Sequence, residues 1–505
     1  MKRYLFYGMI LAIALSIASC VKDNGNYTYH AINEVTVSNF DTIIGYQVGY
    51  GDTLTINPTL NFTRDKSGTG VYVYQWSFLL GSAAQPPVRD SVISTSKNLS
   101  AVIKLSPGTH SLQYYVRDSS TGVTFQTRTN INVTTDVYEG YMLLNNVNGQ
   151  SRLDMLSYNN AKSSFTQYID VLKKMGSTVP MTGAPYKVYC AQYTLPNINP
   201  ENYGIFLLSS AGANRIDQET FAYDSTMNVR SMFIGNVPSN FAPQNMVMEG
   251  SFGLAYPLIY LFDGNGNIYS YSVFSGYAFH YTPLNTYSAS GTPFNVAPYG
   301  VTTGSTGTFY NSDKKGFVTA ASYNSNFLTD AGATLNYPTG YNMIYMDKDY
   351  NNNAFAIMKD PATSNTYLVR FPIGGAVNYN QQIVGTDIDK ATCFAISPAL
   401  GYLFYSVGGK VYEYDPSLKT SILMVDKGSS NITYLNFQHF FNRTNSTVNK
   451  NYSTWANYLS VASYGSSPTS GTFELYSVPP VNGQILLVNG WTGFGQITSV
   501  SYRER

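Results

Sequence analysis

Charge is scarce in this chain. Only 12% of its 505 residues are Asp, Glu, Lys or Arg, and 30 basic residues against 29 acidic ones leave a formal net charge of +1. Such a balance supplies no long-range field to gather nucleic acid or an anionic surface, so nucleic-acid binding is disfavoured. Cysteine is scarcer still, at three residues. A disulfide framework is excluded by that count. Cys190 (after Val188-Tyr189) and Cys393 (between Thr392 and Phe394) sit in apolar settings, and each is expected to be a small buried hydrophobe rather than half of a bridge.

Catalytic signatures are missing too. The four histidines (His30, His110, His280, His439) never fall at the spacing of zinc ligands, which weighs against zinc hydrolysis. There is no G-x-S-x-G elbow, no P-loop, and no G-x-G-x-x-G opening a helix. A pair of carboxylates for glycoside hydrolysis leaves no fixed spacing, so Glu249, Asp263, Glu413 and Glu474 remain the acids to watch, each of them otherwise a solvated strand-edge charge.

Long apolar runs are absent but for one, at the start. Lys2 and Arg3 precede an apolar stretch from Leu5 to Ile17, and Ile17-Ala18-Ser19 leads into Cys20. The run is too short to span a bilayer, and small residues directly before a cysteine suit a lipoprotein signal peptidase. Residues 1–19 are thus expected to be a signal peptide, with Cys20 lipidated and residues 20–29 a linker behind the anchor.

Past Cys20 the chain runs Val21-Lys22-Asp23-Asn24-Gly25-Asn26-Tyr27-Thr28-Tyr29, then Ile32-Asn33-Glu34-Val35-Thr36-Val37. This C-x-x-D-x-G-N-Y-x-Y run followed by I-N-E-V-T-V resembles the N-terminus of the PKD-like family lipoproteins of Bacteroidota, which accompany SusCD-type outer-membrane nutrient importers. The likeness extends more loosely through Tyr138-Glu139-Gly140-Tyr141 and Ser151-Arg152-Leu153. It implies a lipid-anchored outer-membrane protein whose partners are a SusC/SusD-type transporter pair and other surface lipoproteins. Lys22-Asp23 resembles in part the charged signal for surface export, so the expected location is the cell-surface face of the outer membrane.

What the sequence has in abundance is tyrosine, 45 residues, with 42 glycines. That composition favours strands and turns, and the expected class is all-β. Short alternating segments at Glu34 to Val37, Thr53 to Ile56, Val71 to Phe78, Leu99 to Leu105, Ser111 to Val116 and Val123 to Val133 suit an Ig-like, PKD-type sandwich over residues 30–136, with Trp76 in its core. This domain is expected to be a spacer and docking module.

From residue 137 to 505 a different unit repeats: an apolar strand, a Gly/Asn/Ser turn, and a return strand with alternating aromatics. It begins at Tyr141, Ile205, Leu258, Gly316, Ala354, Tyr402 and Tyr458. Repeats of roughly fifty residues are what four-stranded propeller blades produce. A β-propeller is predicted, with seven blades; six or eight are the alternatives.

Two loops alternate oxygen ligands, Asp263-Asn265-Asn267 and Asp347-Asp349-Asn351. Ca²⁺ accepts such a pattern, yet neither run supplies the distal bidentate Glu of an EF-hand, and Asn-Gly is ordinary turn chemistry. Trp455 and Trp491 lie near turns and are the candidate ligand platforms, since aromatic faces stack on sugar rings or cover peptide backbone. The function expected is non-catalytic: an accessory subunit capturing oligosaccharide or peptide for the importer. The competing expectations are a propeller hydrolase or lyase acting on glycan or peptide, and a purely structural subunit.

Overall fold

The computed structural model describes residues 32–505 apart from 83–84, 161, 194–202, 250–257, 273–275, 288–289, 304–305, 321–324, 332–334, 336–339 and 445–448. Cys20 and the signal segment lie outside the described residues. The chain divides into two compact units, the first drawn from residues up to Asn132 and the second consisting mainly of Val133–Arg505.

The first unit is a β-sandwich. A five-stranded sheet runs in the order Tyr46–Gly49, Thr124–Thr134, Gly108–Asp118, Tyr72–Ser82, Gln85–Ser94, with two-stranded pairs formed by Val35–Ser38 with Thr59–Phe62 and by Thr53–Ile56 with Leu99–Val102. Period-two alternation decides which side chains go inward: in Thr53–Ile56, Leu54 and Ile56 are buried while both threonines are exposed. Trp76 is fully buried on an interior strand, stacked on Tyr114 at 4.1 Å between centroids, with its indole N–H donated to the Ser96 carbonyl at 2.9 Å. Gln85–Ser94 carries Pro86 and Pro87 yet is a strand. It is the edge strand of its sheet, the one place where a missing N–H costs no ladder bond.

The second unit is a seven-bladed β-propeller. Its inner strands are Gln496–Arg503, Pro185–Gln192, Pro243–Glu249, Val301–Thr303, Asn342–Lys348, Cys393–Ile396 and Asn431–Phe437, for blades 1 to 7. Each touches the next, and the seventh touches the first, so the ring is closed. Second strands are buried along almost their whole length, as in Leu258–Asp263 of blade 3 and Ala354–Met358 of blade 5, because adjacent blades cover both of their faces. The seven sequence hairpins fall one to a blade; the one starting at Gly316 is the outer half of blade 4, where Val318 pairs with Asp330.

Closure is built from both ends of the unit. Blade 1 takes three strands from Glu139–Val147, Gln150–Asn159 and Ser164–Tyr168 and its inner strand from the C-terminus, antiparallel with Tyr141 opposite Tyr502. The last residues are buried rather than frayed. Arg503 donates to the Val137 carbonyl at 2.6 Å, and the Glu504 carboxyl accepts the backbone N–H groups of Phe441 and Asn442 at 2.7 and 2.8 Å. Gly140 permits the close pairing: at φ 144° a Cβ there would meet the Leu156 carbonyl oxygen at 1.9 Å.

Candidate functional site

Alternation on the inner strands creates two kinds of position. In blade 2 the half-buried Lys187 and Tyr189 flank buried Val188. In blade 3 Asn245 and Val247 flank Met246, in blade 5 Tyr345 and Asp347 flank Met346, and in blade 7 Tyr434 and Asn436 flank Leu435. The buried residues fill the cores between blades. Their i±1 neighbours point the other way, and all of these except Tyr434 line a cavity of about 460 Å³. Inner strands of blades 2 to 7 contribute to it, and the loop from Gln438 to Thr444 forms further wall. That volume lies within the roughly 300–1,000 Å³ of small-ligand sites.

The cavity is polar and aromatic together. The Asp347 carboxyl accepts the Tyr345 hydroxyl at 3.0 Å and the Lys348 N–H at 2.8 Å. Burial pushes the carboxyl's pKa up, and those two hydrogen bonds and the nearby Lys187 charge oppose the rise. Lys187 is pushed the other way, down, by the same burial, with Asp347 opposing. Its nearest recorded partner is the face of Tyr189, 5.8 Å from Nζ to centroid. Tyr345 is held well above the usual phenol range by burial and by Asp347, so it stays a donor. Across the cavity Arg443 lies 3.7 Å over the ring of Tyr350, whose pKa burial raises to about 12. Asn436 contributes a buried carbonyl oxygen with no hydrogen-bond partner.

The carboxylates on the wall, among the described residues, are those of Asp347 and Asp349. Asp349 is committed to its own turn: it accepts from Asn351 N at 2.9 Å, Asn353 N at 2.8 Å and Asn353 Nδ2 at 2.8 Å. Asp263 does the same in blade 3, accepting from Asn265 N and Asn267 N at 2.9 and 3.0 Å. The two loops are one turn used twice, with Gly266 and Asn352 at the same left-handed position. Asn265 and Asn267 present amide N–H groups to the Asp263 carboxyl rather than oxygens to a shared centre. Asp347 belongs to the cavity and not to the turn. No cluster of three His, Cys, Asp or Glu occurs among the described residues. These loops are therefore blade turns, and their oxygens do not converge as a calcium site requires.

The other sequence candidates lie elsewhere. Trp455 is 8% exposed, with Tyr158, Phe165 and Tyr502 ringed around it at 4.8 to 5.6 Å. It packs the seam of blades 7 and 1 and has no free face for a ligand. Trp491 is half-buried on the outer strand of blade 7, edge-on to Phe165 and stacked on Phe473. Glu474 pairs with Lys427 at 2.5 Å, and Glu413 is buried on a blade 6 strand away from the cavity. The side chain of Glu249 lies outside the described residues. Cys190 and Cys393 are not bonded to each other, and burial lifts the Cys190 thiol to about 12. The signal for the real site is the alternation itself, K-V-Y, N-M-V, Y-M-D and Y-L-N, each just ahead of an apolar blade strand.

A PKD-like family model matches residues 20–185, less than half of the chain. No curated protein matches it. Among solved structures, a quinonprotein alcohol dehydrogenase-like protein from Bacteroides thetaiotaomicron is similar at 14% identity and a TM-score of 0.45, covering 94% of this chain and 100% of its own. A DUF4784 family protein from Bacteroides caccae aligns over 94% of this chain and 100% of its own, at 9% identity and a TM-score of 0.31. The β-propeller domain of Swd1 from Myceliophteria thermophila aligns over 66% of this chain and 96% of its own, at 8% identity and a TM-score of 0.38. No activity is carried over from likenesses this distant.

Proposed function

We propose that this protein is a lipid-anchored cell-surface subunit of a SusCD-type nutrient importer, and that its propeller captures oligosaccharide or peptide in the axial cavity without cleaving it. The observation that carries this reading is the wall of that cavity. Phenols, amides and cations converge there from six blades, while of its two carboxylates one is fixed by its own turn and the other is engaged by Tyr345 and the Lys348 N–H. Two free carboxyl groups facing each other across a sugar are what glycoside hydrolysis needs; aromatic faces and fixed polar groups suffice for binding.

An apolar patch on the outer rim supports a place in a larger assembly. Leu486 and Leu487 of blade 7 are 66% and 58% exposed, and Ile422 and Leu423 of blade 6 are also exposed. Gln484 joins the two blades by donating to the Leu423 carbonyl at 3.2 Å. Contiguous exposed apolar surface on strand edges is a site for protein contact, and the transporter pair is the partner proposed for it.

The test is fractionation and copurification from the native membrane. Wild-type protein is expected in the outer-membrane fraction together with a SusC/SusD-type pair. Cys20→Ala should release it into the soluble fraction still folded, and Leu487→Asp should keep the anchor but lose the pair. Unchanged membrane partitioning of Cys20→Ala would refute the anchor, and recovery of wild type without transporter proteins would refute the accessory role.

A further inference from the structure

Lys187 is a half-buried ammonium on the cavity wall without a counter-ion among the described residues. Among the described residues its ammonium has no recorded hydrogen bond or ion pair, only the distant Tyr189 ring. An ammonium partly withdrawn from water gains from a counter-ion placed beside it. Asp347 does not fill that role. It stands close enough to influence Lys187 but outside ion-pair range, and its two oxygens are already taken by Tyr345 and the Lys348 N–H.

The charge count points the same way. Lys187, Lys348 and Arg443 line the cavity against Asp347 and Asp349, an excess of one positive charge. Lys348 is partly spent, because its ammonium donates to the Thr302 carbonyl. Arg443 sits over the ring of Tyr350, and a guanidinium can donate in a planar, two-pronged way to a carboxylate. One excess cation matches a monoanion. A phosphate monoester, nearly a dianion at neutral pH, would be set against two resident carboxylates. Around the cations lie the rings of Tyr189, Tyr299, Tyr345 and Tyr350, surfaces suited to a pyranose face or a peptide plane.

We infer that the axial cavity selects ligands bearing a carboxylate, which is seated between Lys187 and Arg443 while the rest of the ligand lies on the tyrosine rings. This rests on the binding role proposed above and narrows it to acidic ligands. The shared chemistry has two sources, a hexuronic acid residue of an oligosaccharide or the C-terminal carboxylate of a peptide.

Titration calorimetry on the purified full-length protein tests it with four probes: an oligogalacturonide, its methyl ester, a short peptide with a free C-terminus, and the same peptide amidated. At least one acid should bind ten-fold or more tightly than its neutral partner, and that acid identifies the source. Its affinity should fall as NaCl is raised. Lys187→Met should abolish the preference by bringing the acid's affinity down to that of the neutral partner, while Lys187→Arg should retain the preference. Thermal melts of both variants confirm that they fold. Equal binding of acid and neutral forms, or a preference that survives Lys187→Met, overturns the inference but leaves the capture role standing. Failure of all four probes to bind overturns both.

Discussion

Tyr141 and Tyr502 meet edge to face, with ring centroids 4.9 Å apart and planes at 89°, at directly paired positions of the strands that close the propeller. One residue comes from the first blade strand of the chain and the other from the last. Both are buried, in a cluster that also holds Phe440, Tyr452 and Trp455. The ring of blades thus depends on a contact whose partners come from opposite ends of this unit.

That seam should control stability. Tyr502→Ala removes a buried aromatic from it and is expected to destabilise the propeller by about 3–5 kcal/mol, read from urea unfolding followed by tyrosine fluorescence. Deleting residues 496–505 leaves blade 1 without its inner strand and should abolish the cooperative transition. A truncated protein that melts like wild type would show that closure is not holding the ring.

Much of the fold was legible beforehand, for reasons the blades make plain. In six blades the second strand is buried on both faces and stands out as a short apolar run followed by a third with alternating aromatics, and in blade 4 the third strand, Gly316–Ala320, gave the run instead; hence seven hairpins were visible from Tyr141 to Tyr458. Inner strands escape such reading. Only alternate residues such as Val188 and Met346 are buried, and the channel face is assembled from positions between Lys187 and Thr444, so its chemistry leaves no spacing in the chain. Prolines hid the strand at Gln85–Ser94, because an edge position tolerates what an interior strand does not. Trp455 was misleading for the opposite reason: it sits near a turn, but that turn folds back into the closure core.

Acid should favour the folded state through Glu413. It is 2% exposed, one carboxyl oxygen has no partner among the described residues, and burial, with Asp415 adding, raises its pKa from 4.5 to about 7. A raised acid binds its proton more tightly when folded, so stability is greatest below the unfolded value, falls between about pH 4.5 and 7, and is flat above. Glu504, also raised to about 7 chiefly by burial, acts in the same direction. Glu413→Gln should therefore stabilise the protein at pH 8 by on the order of 1–3 kcal/mol and by little at pH 4.5. Melting temperatures at the two pH values check this; a variant less stable at pH 8 than wild type would contradict it.

Calcium should have no effect on folding. The Asp263 carboxyl is already satisfied by Asn265 and Asn267, so EDTA and millimolar Ca²⁺ are expected to give the same melting temperature. Asp263→Ala should cost about 1–3 kcal/mol from the lost turn bonds alone. A calcium-dependent rise in melting temperature that disappears in Asp263→Ala would restore the metal site.

The most direct measurement of the central claim, capture without cleavage, is mass spectrometry of candidate oligosaccharides and peptides incubated with the protein, with native spectra recorded on the same samples. The account predicts that every ligand is recovered intact and that at least one is retained as a complex, weakened when Lys187 is replaced by Met. Reproducible cleavage products that vanish in Asp347→Asn would contradict it and make the axial cavity an active site.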